Sequence, residues 1–302
     1  MLRFQHTAMA TQFEVHCTHA DAAYARQAAR AAFEAVDRLE LQLSRFVENS
    51  DISRINHLAP GESTIVGYET MQCLQLARAM FELTVGAFDI SMGTGFESLE
   101  LVPGEFRVIA VPAPPGDQPD MPQAAEGQAG DERLTGVRLD LGAIGKGYAV
   151  DRVAEVLEDW EVPRALIDAG YSSVLALQPP EGSEGWPLTL SALDKEGTGV
   201  FARLSARQLV LGASGIRKGD HIWNPRDQMP VRARQGAWVS APREALAAIC
   251  RGAGVDPSPT AVADALSTAF MISGVEEIGE FCQNHPGVEA WILDDELTRF
   301  PR

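Results

Sequence analysis

Lysine is almost missing from this chain. Its 302 residues include only Lys146, Lys195 and Lys218, and arginine supplies the rest of the 25 basic residues. Asp and Glu number 42, so the formal net charge is −17. So little positive charge argues against nucleic acid or an anionic membrane as the main partner. It leaves a phosphate ligand open, because the local field governs a pocket. Cysteine is also scarce. Cys17, Cys73, Cys250 and Cys282 lie far apart, which excludes CxxC and zinc-type spacing and suits core or inert surface thiols in a reducing compartment. No run approaches about 18 apolar residues, so no membrane span is expected. The opening Met-Leu-Arg-Phe-Gln-His has no apolar signal core. These absences together lead to the expectation of a soluble, cytoplasmic protein.

What is present is a mixture of helix and strand periodicity. Residues 11–17 read as a strand. Residues 21–43 read as an amphipathic helix with Ala29, Ala32, Phe33, Val36, Leu39 and Leu43 on one face. A loop and a short helix capped by Ser50 or Asp51 are expected over 44–56, then a helix over 68–84 and a turn at 86–90. Residues 112–133, rich in Pro, Gly, Asp and Gln, read as a low-complexity loop within one domain spanning 1–302. A strand at 136–140 leads to a helix ending near Trp160. Strands follow near 164–168, 172–177, 187–193, 199–204 and 208–212. Helices follow over 242–252, 259–272 and 275–284, and a last strand at 288–293 closes the chain. Helices mixed with largely antiparallel strands make an α+β fold.

The richest stretch is 139–151, Leu-Asp-Leu-Gly-Ala-Ile-Gly-Lys-Gly-Tyr-Ala-Val-Asp. A glycine-rich turn carrying Asp140 and Lys146 opens a helix. Glycine lets backbone approach a phosphate closely. A helix start adds free N–H groups and a positive dipole end, and Lys146 adds a full charge. Neither common nucleotide motif is present. Asp140 stands where a P-loop needs its first glycine, and Gly147 stands where it needs Ser or Thr. The dinucleotide pattern G-x-G-x-x-G breaks at Val150. The alternative is a plain strand-to-helix turn with an exposed lysine.

Residues 261–272, Ala-Val-Ala-Asp-Ala-Leu-Ser-Thr-Ala-Phe-Met-Ile, are apolar almost all round, which predicts a buried helix. Asp264 and Thr268 are four residues apart and share a face. A buried carboxylate needs a cation, donors or a metal. Carboxylate plus hydroxyl on one turn suits a hard cation such as Mg2+. In the plainer alternative, Asp264 caps a neighbouring loop and Thr268 bonds its own helix. His221, in a Gly/Pro-rich loop, reads as a general base or as a loop-pinning residue.

In order along the chain stand Met9-Ala-Thr, Leu43-Ser-Arg-Phe, Ser50-Asp-Ile-Ser-Arg-Ile-Asn56 and Gly86-Ala-Phe-Asp-Ile. Then come Asp140-Leu-Gly-Ala-Ile-Gly-Lys-Gly-Tyr-Ala-Val-Asp151, Leu166-Ile-Asp-Ala-Gly170, Ser214-Gly215, His221-Ile-Trp-Asn-Pro225 and Ala263-Asp-Ala-Leu-Ser-Thr268. This series resembles the FAD:protein FMN transferase family, the ApbE-like flavin transferases, over nearly the whole chain. The resemblance implies an α+β fold of T-fold-like tandem halves, with antiparallel sheets and packed helices in a single compact unit. It implies Mg2+-dependent transfer of FMN from FAD to a Ser or Thr hydroxyl of an acceptor flavoprotein, releasing AMP.

By family position, Asp264 and Thr268 supply side-chain oxygens to Mg2+ and Ala143 a backbone carbonyl. Asp140 and Lys146 contact FAD. Met9, Ser44, Arg45, Phe46, Ala87, Phe88, Asp89 and Trp223 line the flavin and adenine slots, and His221 is the base. The sequence departs from the family pattern at Ala10, usually Gly; at Asn224, usually Asp; and at Asp227-Gln228, usually Thr-Gly. These departures gather on the acceptor side. They keep in view an FAD pyrophosphatase, with water in place of the acceptor, and a non-catalytic flavin-binding protein.

Overall fold

The computed structural model describes residues 1–91, 94–111, 137–194, 197–216, 222–227 and 229–301. The low-complexity 112–133 segment and His221 lie outside the described residues.

The chain opens with a hairpin of β1 (Leu2–Ala8) and β2 (Thr11–Cys17). Its two turn residues, Met9 and Ala10, both have positive φ, 49° and 54°. That geometry matches the twist of the flanking strands. Glycine would adopt it more cheaply than Ala10 does. Next comes α1 (Ala22–Leu43), whose N-cap Asp21 accepts hydrogen bonds from the backbone N–H groups of Ala23 and Tyr24. All six residues expected on its inner face are buried. Helix α2 (Asp51–Asn56) is capped by the Ser50 hydroxyl, and α3 covers Tyr68–Leu83. A small antiparallel sheet, not foreseen from periodicity, joins β3 (Ser63–Ile65), β4 (Leu99–Val102) and β5 (Arg107–Ala110). Its strands are too short to show a clear period of two.

The strand expected at 136–140 does not form; residues 137–141 are irregular. Their backbone groups are taken elsewhere. Leu139 N–H donates to Asn56 Oδ1 (2.7 Å), Asn56 Nδ2 donates to the Leu139 carbonyl (3.0 Å), and Asp140 N–H donates to the Ile90 carbonyl (2.8 Å). Helix α4 (Gly145–Asp159) then starts within the glycine-rich turn.

The second half supplies β6 (Ala165–Ala169), β7 (Ser173–Ala176), β8 (Trp186–Asp194), β9 (Gly197–Ala206) and β10 (Leu209–Gly215). The short β11 (Trp223–Asn224) and β12 (Met229–Pro230) pair with each other. Then come β13 (Gly236–Pro242), α5 (Arg243–Gly252), α6 (Pro259–Ala269), α7 (Val275–Asn284), β14 (Glu289–Leu293) and β15 (Leu297–Phe300). Helix α6 ends three residues earlier than expected, because its last turn tightens into i→i+3 bonds from Met271 to Thr268 and from Ile272 to Ala269. The strand expected to close the chain is followed by β15, which pairs back on β14 and buries Phe300.

One antiparallel sheet of order β1-β2-β6-β7-β10-β13-β14-β15 gathers both ends of the chain. On one face Phe13, Val15, Ile167, Val210 and Val239 are buried with Ala32 and Val36 of α1, Val150 and Val153 of α4 and Leu266 of α6. On the other face the β8–β9 ribbon covers Val174, Leu211 and Trp291, while the β1–β2 end stays polar. No described helix is long and apolar enough to cross a membrane. All four cysteines are free and buried.

Candidate active site

Helix α6 is the centre of the site. Every residue from Pro259 to Ser267 is buried, so each polar group there must find a partner. Its own N-cap residue, Ser258, makes no capping bond. The cap comes from α4 instead. The Asp151 carboxylate accepts from the Thr260 N–H (3.0 Å), the Ala261 N–H (3.1 Å) and the Ser258 hydroxyl (2.7 Å). A carboxylate at that end also meets the positive dipole of α6.

One turn further on, Asp264 is 4 % exposed. Gly147 N–H and Ser173 Oγ both donate to its Oδ2, each at 2.8 Å. Among the described residues no hydrogen bond reaches Oδ1. Burial lifts the Asp264 carboxyl to about 6, against the pull of Lys146 and these two donors. The plain capping alternative for Asp264 is therefore half right. It anchors the start of α4, yet one oxygen is left over. The following turn carries hydroxyls. Ser214 Oγ on β10 lies 2.9 Å from both Ser267 Oγ and Thr268 Oγ1, and Ser267 Oγ donates to the Asp264 carbonyl (2.9 Å). It is thus Ser267, not Thr268, that bonds its own helix.

Two glycines let these elements meet. A Cβ on Gly147 would strike the Thr260 carbonyl, and one on Gly212 would strike the Ala263 carbonyl. Both are close backbone approaches that no larger residue permits.

A chain of contacts runs outward from there. Lys146 Nζ donates to the Gly142 carbonyl (2.9 Å), and Gly142 N–H donates to Asp140 Oδ1 (2.8 Å). Arg45 Nε sits 3.0 Å from Asp140 Oδ2, and its guanidinium lies 4.2 Å over the Phe46 ring. Phe46 is 81 % exposed. Ser44 Oγ accepts from the Phe46 N–H (3.3 Å) and shapes that turn. The Asp140–Ile90 backbone bond brings Asp89 alongside. Asp89 Oδ1 accepts from the Ser91 N–H, and burial raises its carboxyl above the ordinary range. Of the sequence-predicted residues, Arg45, Asp140 and Lys146 are thus linked through Gly142, Gly147 beside Lys146 bonds the buried Asp264, and Ala143 is partly accessible between Gly142 and α4.

Other predicted residues stand apart. Ala87 and Phe88 are 1 % exposed and belong to the core, and their N–H groups donate to the Thr84 carbonyl and hydroxyl. Met9 packs partly against the core at the β1–β2 turn, at the sheet end where Ser214 also lies. Trp223 is 47 % exposed on β11. Among the described residues, no hydrogen bond or ion pair joins Met9 or Trp223 to Asp264. Asn224 turns its Oδ1 back on its own loop, toward the Arg226 N–H (3.0 Å). Sequence reasoning gave no role to Ser173, Asp151 or Asn56. Asp151 did leave a signal, a lone carboxylate on the apolar face of α4. Ser173 left none.

An antiparallel sheet and a buried helix whose carboxylate and hydroxyls lie against a glycine-rich, lysine-bearing helix start define an α+β protein with a polar cluster buried at a helix contact. The ApbE family model matches residues 9–292, and the chain belongs to the ApbE family. It is 24 % identical over 310 aligned residues to the FAD:protein FMN transferase of Treponema pallidum (strain Nichols), covering 92 % of this chain and 80 % of the relative. It is 28 % identical over 146 residues to that of Klebsiella pneumoniae (strain 342), covering 46 % and 45 %. The fold superposes on the flavin transferase ApbE of Vibrio cholerae with TM-score 0.75 at 16 % identity, covering 99 % of this chain and 96 % of the other. For the ApbE protein of Thermotoga maritima the values are 0.74, 21 %, 99 % and 96 %. The single-unit mixed fold expected from the sequence is thus the fold of this family.

Proposed function

We propose that this protein transfers FMN from FAD to a Ser or Thr hydroxyl of an acceptor flavoprotein, releases AMP, and depends on Mg2+. The observation that carries the reading is the Asp264–Thr268 face of α6, set beside the Lys146 turn. FAD is cleaved at its pyrophosphate, so the site must hold negative charge and position two oxygens in line. The names of the two curated relatives favour the same reaction.

The donor set fits a hard cation. Asp264 keeps Oδ1 clear of hydrogen bonds among the described residues, while Gly147 and Ser173 fix Oδ2. Thr268 Oγ1 is four residues on, and Ala143 can add its carbonyl. Mg2+ takes oxygen ligands of this kind and keeps places for water and phosphate. Bound there, the ion would neutralise charge on the pyrophosphate.

The chain's own residues do the remaining work. Lys146 contributes a cation next to Asp264. Arg45 and Asp140 hold the turn that carries Gly142 and Ala143, and exposed Phe46 and Trp223 offer flat surfaces to the flavin or adenine ring. His221 takes the proton from the incoming hydroxyl, a weak nucleophile without a base.

The test mixes protein, FAD and Mg2+ with a flavoprotein domain that carries a target threonine. Denatured gels are read for flavin fluorescence and the supernatant for AMP. A fluorescent acceptor band with AMP is expected. AMP with free FMN and no band would replace the transferase with an FAD pyrophosphatase. Bound FAD with neither product would leave a flavin-binding protein.

A further inference from the structure

Among the described residues, β1 is one edge of the large sheet. Edge strands are usually blunted by charged side chains, lysine above all, by proline or by a bulge; the one full charge on β1, Arg3, is bonded across to Glu14 on β2. β1 reads Leu-Arg-Phe-Gln-His-Thr-Ala, and its register with β2 is unbroken from Leu2 to Ala8. In a hairpin with a two-residue turn, the closing pair exchanges both hydrogen bonds, and such pairs alternate along the ladder. Ala8 closes this turn against Thr11. The backbone groups of Leu2, Phe4, His6 and Ala8 therefore face β2. Those of Arg3, Gln5 and Thr7 point outward.

Beside this edge runs a groove between β1 and α1, lined by Phe4, Ala29 and Phe33. Its helical rim is charged in order: Arg26 and Arg30, then Glu34 and Asp37, all exposed. His6 fixes the level of strand against helix. Its ring stacks on Phe33 at 5.1 Å, and its Nε2 lies 2.6 Å from Asp37 Oδ1.

We propose that this edge is the interface of a two-fold dimer, in which β1 pairs antiparallel with β1 of a second copy of the chain. Centring the pair on Gln5 uses every outward group. Gln5 meets the partner's Gln5, and Arg3 meets the partner's Thr7, for about six backbone hydrogen bonds. One strand residue advances about 3.3 Å and one helical residue about 1.5 Å, so a strand step matches roughly two helical residues. His6 lies level with the middle of the Phe33–Asp37 turn, so Gln5 lies level with Ala32 or Phe33. Arg30 and Glu34 are centred on Ala32, and Arg26 and Asp37 between Ala31 and Ala32, within about one helical residue, roughly 1.5 Å, of that point. The axis that pairs the strands therefore sets Arg26 against the partner's Asp37 and Arg30 against the partner's Glu34.

This charge order is what selects a second copy as the occupant. An acidic peptide would be repelled at Glu34 and Asp37, and a basic one at Arg26 and Arg30. Two copies in antiparallel order satisfy both halves. Within one subunit Arg30 bonds Glu34 along its own helix at 2.9 Å, and each carboxylate has a second oxygen for the partner. The merged sheet would place both α1 helices side by side on one face.

The test measures mass in solution by light scattering and sedimentation over a range of concentrations. The wild-type chain is expected to be a dimer that weakens with salt. R26E/R30E and E34R/D37R are each expected to raise the dissociation constant by roughly tenfold to a hundredfold. An equimolar mixture of the two is expected to recover a heterodimer. Thr7→Pro removes an outward N–H without touching the β1–β2 ladder, and is expected to halve the mass. A monomeric wild type would overturn the proposal. So would a dimer indifferent to Thr7→Pro and to both charge reversals, which would place the contact on another face. Circular dichroism of each variant separates loss of pairing from loss of fold.

Discussion

Gly147 and Asp264 are joined by a 2.8 Å hydrogen bond across a helix contact with no room for a side chain at position 147. The first turn of α4 and the middle of α6 are thereby fixed to each other. One end of the contact carries Lys146 and the glycine-rich turn, and the other carries the carboxylate and hydroxyls. The geometry of the site is therefore a consequence of helix packing, and not of a loop that happens to fold over it.

Gly147→Ala should push α4 away from the Thr260 carbonyl. Overpacking of this kind costs about 1–3 kcal/mol, read as a lower midpoint in urea unfolding. On the proposed metal assignment, binding of Mn2+, used as a spectroscopic stand-in for Mg2+, should weaken in the same variant because Asp264 loses a donor. A variant with wild-type stability and wild-type Mn2+ affinity would show that the contact is not tight.

Asp264 gives a pH signature. Its carboxyl holds a proton up to about 6 in the folded chain and to about 3.8 ordinarily. Between those values the native state binds more protons than the unfolded state, so this group's contribution to stability falls as pH rises from about 4 to 6 and is flat above. The metal-free wild type should lose roughly 2–3 kcal/mol over that window relative to Asp264→Asn. On the proposed metal assignment, Mn2+ affinity should rise about tenfold per pH unit up to 6 and level off beyond. Asp264→Asn should bind Mn2+ poorly at every pH. If the variant and the wild type bind equally, Asp264 is not a ligand.

How much of this was legible in the sequence depends on how local the signal is. Helix α1 announced itself by its apolar face, and Ser50 by its place before α2. Asp264 and Thr268 stood out as polar residues in a helix with nowhere polar to put them. The failures are tertiary. The 136–140 stretch has the apolar alternation of a strand, yet its backbone bonds go to Asn56 and to Ile90, more than 45 residues away, and no local pattern reports that. β13, with small and mixed residues, carries no clear alternation, although the sheet buries it. Ser173 is one serine among many until the fold points it at Asp264. Asn56 looks like a helix end, and both sides of its amide turn out to hold Leu139.

Asp151 is such a tertiary residue with a measurable role. It replaces the missing cap of α6 from another helix, and burial raises its carboxyl despite three donors, one of them shared between both oxygens. Asp151→Ala leaves two buried N–H groups and a hydroxyl without their acceptor, which should cost about 2–4 kcal/mol. Hydrogen exchange should localise the loss to the first turn of α6, with faster exchange at Thr260 and Ala261 than in α1. A uniform loss of protection across both helices would mean that the cap is not a local feature.

The polar end of the sheet carries the opposite pH behaviour. Glu14 is 6 % exposed on β2 and is held by Arg3 (2.7 Å), Gln5 (2.8 Å) and His16 (3.0 Å). The hydrogen bonds from Arg3 contribute most to lowering its carboxyl from 4.5 to about 2, while burial opposes them. The folded chain here releases its proton more readily than the unfolded chain. Its stabilising effect is full above about 4.5 and is lost as pH falls toward 2. Arg3 is half exposed, so solvent screening limits the effect to about 1–2 kcal/mol. Glu14→Gln should therefore be less stable than wild type by that amount at pH 7, and the two unfolding curves should converge by pH 2. A constant gap between them across that range would assign Glu14 a packing role with no ionic part. Because Asp264 and Glu14 titrate in different windows and with opposite sign, a single pH series of stability on the two variants separates them.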